Sequence, residues 1–162
     1  MLVGGGQERE RRSGTHNVGG IVAMAEALRL TDAHRDGEVV RIAALRDRLV
    51  DGIVGALPGV VETIDRNRKV AGSAHLCITG IENEALLYLL DEAGVCATAA
   101  SSCASGAMEP SHVLAAMGVP VELAQGALRL TLGRTTTAED VDRGIAAVVG
   151  AVSRLRSRVA AR

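Results

Sequence analysis

The stretch GALRLTLG, residues 126–133, alternates with a period of two. Leu128, Leu130 and Leu132 share one side, and Arg129 and Thr131 share the other, as in a strand with one face against a core. Something apolar must cover those leucines. Immediately downstream, TTAED (136–140) opens the last helix, with Thr136 and Glu139 spaced as a capping box. Arg154, Arg156 and Arg158 lie toward the negative end of its dipole. Upstream, VVETID (60–65) and SAHLCITG (73–80) read as two more strands joined by the charged loop RNRKVAG, and VCATA (95–99) as a fourth, short one.

Helical patterns fill the rest. ENEALLYLLDEAG (82–94) ends on Gly94, where a left-handed cap suits glycine. Pro110 fits the first turn of a short helix through Met117. From Asn17 to about His34, the apolar residues Val18, Ile21, Val22, Ala25 and Leu28 recur at helical spacing, with Thr15 or Asn17 as the cap. A second helix, about 38–57, lines up Val39, Ile42, Leu45, Leu49 and Ile53 and is stopped by Pro58-Gly59. The expected fold is α+β: a small, mainly antiparallel sheet of about four short strands covered by helices.

Composition bounds the function. One domain accounts for 162 residues, and 48% apolar content supplies a core, yet the chain has no Trp, no Phe and only Tyr88. A formal charge of -1 gives no electrostatic reason to expect nucleic acid or an anionic membrane as a partner. No apolar run is long enough to span a bilayer, and residues 1–20 lack the apolar centre of a secretory signal, so the chain reads as cytoplasmic. Cys77, Cys96 and Cys103 make neither a disulfide framework nor a zinc spacing, and no metal site is expected. His16, His34, His75 and His112 lack ligand-like spacing and read as surface or core residues.

Two residues stand out. Cys103 sits among Ala, Ser and Gly in AASSCASGAMEPSHVL (99–114), where nothing bulky packs around the thiol. The helix start expected near Pro110 favours its thiolate, the nucleophilic form. By itself, a lone loop cysteine is more often only a small hydrophobe. Arg129 is either part of a solvated face or a fork that grips a carboxylate in two places. The opening GGGQERERRSGT is a loop whose glycines allow backbone N–H groups near an anion, although it matches neither the P-loop nor the dinucleotide fingerprint.

Four stretches in order, GGGQERERRSGTHNVGGIVAMAEAL (4–28), GIENEALLYLLDEAGV (80–95), SSCASGAMEPSHVLAAMG (101–118) and LRLTLGRTTTAEDVD (128–142), resemble the cysteine desulfurases. These are pyridoxal-phosphate (PLP) enzymes of the class-V aminotransferase family. The resemblance covers nearly the whole chain. It implies the C-terminal small domain of a fold-type-I PLP enzyme: residues 1–35 as a Gly-rich loop and bridging helix, and 36–162 as the small domain. It implies that Cys103 takes the sulfur of L-cysteine as a persulfide, leaving L-alanine. Arg129 then holds the substrate carboxylate, and Thr15 reaches the cofactor phosphate of the other subunit of a homodimer. A sulfur acceptor or iron–sulfur scaffold protein is the implied partner, for cluster assembly or tRNA thiolation. Cys77 and Cys96 match nothing catalytic and read as small core residues on strands.

One departure is large. The family's Schiff-base lysine has no counterpart here, and the sole lysine, Lys69, lies in a charged turn where a hydrated ammonium is expected. The main cofactor site is therefore expected outside this chain, and the chain alone is expected to be inactive. The alternative is a non-enzymatic dimerisation or sulfur-carrier module that accepts a persulfide on Cys103 from an intact desulfurase. A selenocysteine lyase or plain aminotransferase remains a third reading, although plain aminotransferases do not need the SSCASG loop.

Overall fold

The structure is a computed structural model that describes residues 2–99 and 111–160, with side chains to residue 158. The chain divides into two compact units, Met1–Gly37 and Glu38–Arg162.

In the second unit the alternating stretch forms β3 (Ala127–Thr131), with Leu128 and Leu130 buried and Arg129 and Thr131 exposed. It pairs antiparallel with β2 (Ser73–Ile78), which pairs antiparallel with β1 (Val60–Glu62), giving the order β1-β2-β3. Ala74, Leu76 and Ile78 of β2 lie on the same face as Leu128 and Leu130. Against that face pack Leu49, Val50 and Ile53 of α1 (Val18–Ala56), Leu86 and Leu90 of α2 (Asn83–Glu92), and Val141, Val148 and Val152 of α5 (Ala138–Ala160). The core is wholly aliphatic, and each fully buried Leu or Ile contributes about 1.5–3 kcal/mol. The opposite face carries a smaller cluster of Cys77, Leu114, Ala124 and Ala127, roofed by α3 (His112–Ala116) and α4 (Val121–Ala124). This is the expected α+β architecture.

The helix ends follow local chemistry. After α2 the Val95 N–H bonds the Leu90 carbonyl at 2.8 Å and the Gly94 N–H bonds Asp91 at 2.9 Å. With Gly94 at φ 74, this is a Schellman turn. α3 ends in the same way at Gly118, φ 74, with Val119 bonded back to Leu114 at 3.0 Å.

Several expectations need correction. One helix, α1, replaces the two expected over 17–57: Gly37 costs about 1 kcal/mol relative to alanine but lets a helix continue. Pairs such as the exposed Arg29–Glu26 and the partly buried Arg41–Glu38 support its turns. Val39 is exposed, and the core-facing stripe starts at Ile42. The strand expected over 60–65 stops at Glu62, because Asp65 caps a 3-10 turn, Arg66–Arg68, by accepting from the Asn67 N–H at 2.8 Å. VCATA is not a strand; it touches β3 through one antiparallel pair, Thr98 with Arg129, so the sheet has three strands among the described residues rather than about four. The cap of α5 falls one residue later than read. Thr137 Oγ1 accepts from the Asp140 N–H at 3.1 Å, and Asp140 Oδ2 accepts from the Thr137 N–H at 3.0 Å. Thr136 Oγ1 instead takes the Gly133 N–H at 2.9 Å. The helix expected from Pro110 begins at His112 behind Ser111, and Pro110 itself lies outside the described residues.

The first unit is a loop followed by the N-terminal part of α1. Leu2 and Arg12 form an isolated bridge, Ser13 Oγ donates to the Gly5 carbonyl at 2.8 Å, and the Gly14 N–H donates to Gln7 Oε1 at 3.3 Å. Glu8, Arg9 and Glu10 all have positive φ between 52° and 64°, an uncommon run for residues with a Cβ. Of the two candidate caps, Asn17 is the one used: its Oδ1 accepts from the Gly20 N–H at 3.0 Å. Among the described residues, no helix is long and apolar enough to cross a membrane.

Candidate functional site

Arg129 sits near the middle of β3 on the face away from the main core, because strand alternation sends its neighbours Leu128 and Leu130 inward. Its backbone exchanges two hydrogen bonds with Thr98: Arg129 N–H to Thr98 O at 2.7 Å, and Thr98 N–H to Arg129 O at 3.2 Å. Its side chain is exposed and, among the described residues, no carboxylate lies within ion-pair distance of the guanidinium. A planar fork left in this state suits a carboxylate ligand.

Thr98 stands a few residues before Cys103, and Ser111, at the head of α3, a few residues after it. Thr98 pairs with Arg129 at the edge of β3, and Leu114 of α3 packs on Cys77 and Ala127 on the face that bears Arg129. Cys103 lies outside the described residues. The other two cysteines differ from each other. Cys77 is fully buried, and that burial raises its thiol pKa, as befits an inert core residue. Cys96 is an exposed free thiol on an irregular segment, so its assignment as a core strand residue is corrected.

His75 of β2 is the cross-strand partner of Arg129. It is almost wholly buried, and Thr63 Oγ1 lies 2.8 Å from its Nδ1. Burial first, then the cations of Arg129 and Lys69, hold its pKa below the usual histidine value. The pattern SAHLCI already sets His75 and Cys77 on the face opposite Ala74 and Leu76. Its meeting with Arg129 depends on register, which no local signal supplies.

Lys69 is not the hydrated ammonium expected. Its side chain is buried and engaged by the Glu62 carboxylate, which also accepts from Arg66 Nε at 2.9 Å. An amine held in this way is not free to condense with an aldehyde, so the residues present do not fit covalent attachment of PLP. In the first unit Thr15 is exposed, its carbonyl accepts from Arg12 Nη1 at 3.1 Å, and its hydroxyl has no partner among the described residues. Among those same residues, no three His, Cys, Asp or Glu side chains group as metal ligands.

The antiparallel sheet and the helices packed on it have the α+β fold of NifS-like PLP enzymes. A solved NifS-like protein matches it with a TM-score of 0.80 at 30% identity, over 94% of this chain and 38% of that one. A second, from Rickettsia africae, matches with a TM-score of 0.77 at 27% identity over 94% and 39%. The class-V aminotransferase family model matches residues 5–143, and the chain belongs to that family. Its relatives include a cysteine desulfurase of Gluconacetobacter diazotrophicus, 42% identical over 96% of this chain and 39% of its own length. An IscS-like cysteine desulfurase of Mycobacterium tuberculosis is also 42% identical, over 96% and 40%. The chain thus spans about two fifths of the length of the curated relatives it matches.

Proposed function

We propose that this chain is the sulfur-accepting portion of a cysteine desulfurase. In the overall reaction the Cβ–S bond of L-cysteine breaks and an S–S bond forms on Cys103. The products are L-alanine, which gains the hydrogen, and a Cys103 persulfide for an acceptor or iron–sulfur scaffold protein. The observation that carries the reading is the exposed Arg129 guanidinium, without a carboxylate partner among the described residues and bonded through its backbone to the segment that leads to Cys103. In this proposal Arg129 binds the substrate carboxylate, and Thr15 contacts the phosphate of PLP in a cytoplasmic homodimer. The cofactor, when bound, supplies the electron sink for breaking the C–S bond, and its covalent seat lies outside these 162 residues.

The test joins this chain to the remainder of the Gluconacetobacter relative and turns the chimera over with L-cysteine. Mass spectrometry is expected to find one added sulfur atom on Cys103, and Cys103→Ser to abolish sulfide release. Arg129→Lys, which keeps the charge but loses the fork, is expected to raise KM for L-cysteine by about tenfold. Sulfur on Cys96 instead overturns the assignment.

The carrier reading is favoured by one observation, the engagement of Lys69 by Glu62. Under it, the chain alone, given PLP and L-cysteine, releases no sulfide but gains sulfur on Cys103 when an intact desulfurase is added. Catalytic sulfide release by the chain alone refutes it.

A further inference from the structure

The face that bears Arg129 holds a second polar group. Ladder bonds from Leu132 N–H to Gly72 O at 2.8 Å and from Ile78 N–H to Gly126 O at 3.0 Å set the hydrogen-bonded pairs of β2 and β3. His75 and Arg129 fall between these, in the closer, non-hydrogen-bonded kind of antiparallel pair, where Cα atoms approach to about 4.5 Å. Their side chains therefore emerge next to each other.

Thr63 orients the ring. Its N–H already donates to the His75 carbonyl at 3.2 Å, while its Oγ1 lies 3.3 Å from that carbonyl and 2.8 Å from Nδ1. The hydroxyl proton is best used on Nδ1, which places the ring's own proton on Nε2. Nε2 has no partner among the described residues. Since none of their buried side-chain nitrogens is left unsatisfied, the little exposure His75 retains includes Nε2. The charged groups around the ring are Arg129 from β3 and Lys69 from the turn after β1, the latter taken up by Glu62 of β1.

The geometry points to His75 as a second ligand of the carboxylate site, its Nε2–H donating to an anion held in the fork of Arg129, with Thr63 as the positioning residue that sets the tautomer. This rests on the reading of Arg129 as the carboxylate-binding residue. A neutral donor beside an arginine adds direction without a second charge, and favours a planar monocarboxylate that spans both groups.

The experiment is histidine-detected NMR on the full 162-residue chain, with L-alanine as the probe. Long-range ¹H–¹⁵N spectra are expected to show the Nε2–H tautomer, and Arg129→Gln to raise the His75 pKa. L-Alanine is expected to shift the Nε2 resonance saturably, with affinity about tenfold weaker in His75→Ala and largely restored in His75→Gln. An Nδ1–H tautomer, or L-alanine binding that needs Arg129 yet ignores His75→Ala, overturns the role of His75 and leaves that of Arg129 intact. Absent binding, or binding indifferent to Arg129→Gln, overturns both.

Discussion

Asp140 closes the start of α5 through four contacts with two residues, Thr137 and Arg143. The Thr137 N–H and hydroxyl reach its Oδ2 at 3.0 and 2.8 Å, its own N–H returns to Thr137 Oγ1, and Arg143 pairs with Oδ1. The Thr137 backbone N–H, then its hydroxyl, then Arg143 lower the Asp140 pKa to about 2. An unfolded aspartate titrates near about 3.9. The folded value is the lower one, so this contribution to stability is complete above pH about 4 and is lost as pH falls through about 2. Thermal midpoints followed by circular dichroism from pH 7 to pH 2 are expected to fall in that window, and less steeply in Asp140→Asn. At neutral pH Thr137→Ala is expected to cost about 1 kcal/mol through the lost cap. The run TTT announces a cap but leaves its place ambiguous by one residue, and only the reciprocal bonds single out Thr137. Arg129, by contrast, is legible at once, because the leucines on either side leave it one direction to point.

The sheet depends on two glycines at the ends of the β2–β3 ladder. A Cβ at Gly126 would overlap the Ile78 carbonyl oxygen, and one at Gly72 the Leu132 carbonyl oxygen. Backbone cannot swing away as a long side chain can, so Gly126→Ala is expected to destabilise by about 3 kcal/mol, read from chemical denaturation, while Gly133→Ala, with open space around it, is expected to change little. β3 and α2 are legible from periodicity and end signals alone. The VCATA segment is not, because its β-favouring composition fails to show that β3 offers it one pair at Thr98. The fusion of two expected helices into α1 has a similar cause: glycine weakens a helix without forbidding it, so Gly37 is a poor guide to a break.

Taken unit by unit, the chain distributes its apolar residues unevenly. In the second unit a sheet face and three helical stripes bury a shared aliphatic core. In the first, Val18, Ile21, Val22, Met24 and Leu28 are all at least half exposed along α1. Clustered exposed apolar side chains favour association. Light scattering coupled to size-exclusion chromatography is expected to show the chain self-associating as concentration rises, and the pair Ile21→Glu with Leu28→Glu to shift it toward monomer. A sharp monomer peak at every concentration refutes this. The helical spacing of these residues is plain in the sequence, but that pattern states only that a face wants cover, never whether cover is present.

What the amino-acid sequence determined by itself is whatever depends on neighbours along the chain: the alternation of β3, the stop at Gly94, the family resemblance in its four stretches, and the placement of Arg129 on the strand face away from the leucines. Tertiary structure alone decided the pairing of His75 with Arg129, the capture of Lys69 by Glu62, and the exposure of Cys96 against the burial of Cys77. The reason is physical. Periodicity and capping act over three or four residues, whereas register, ion pairing and burial are set by segments brought together from distant parts of the chain, whose mutual energy no local stretch contains.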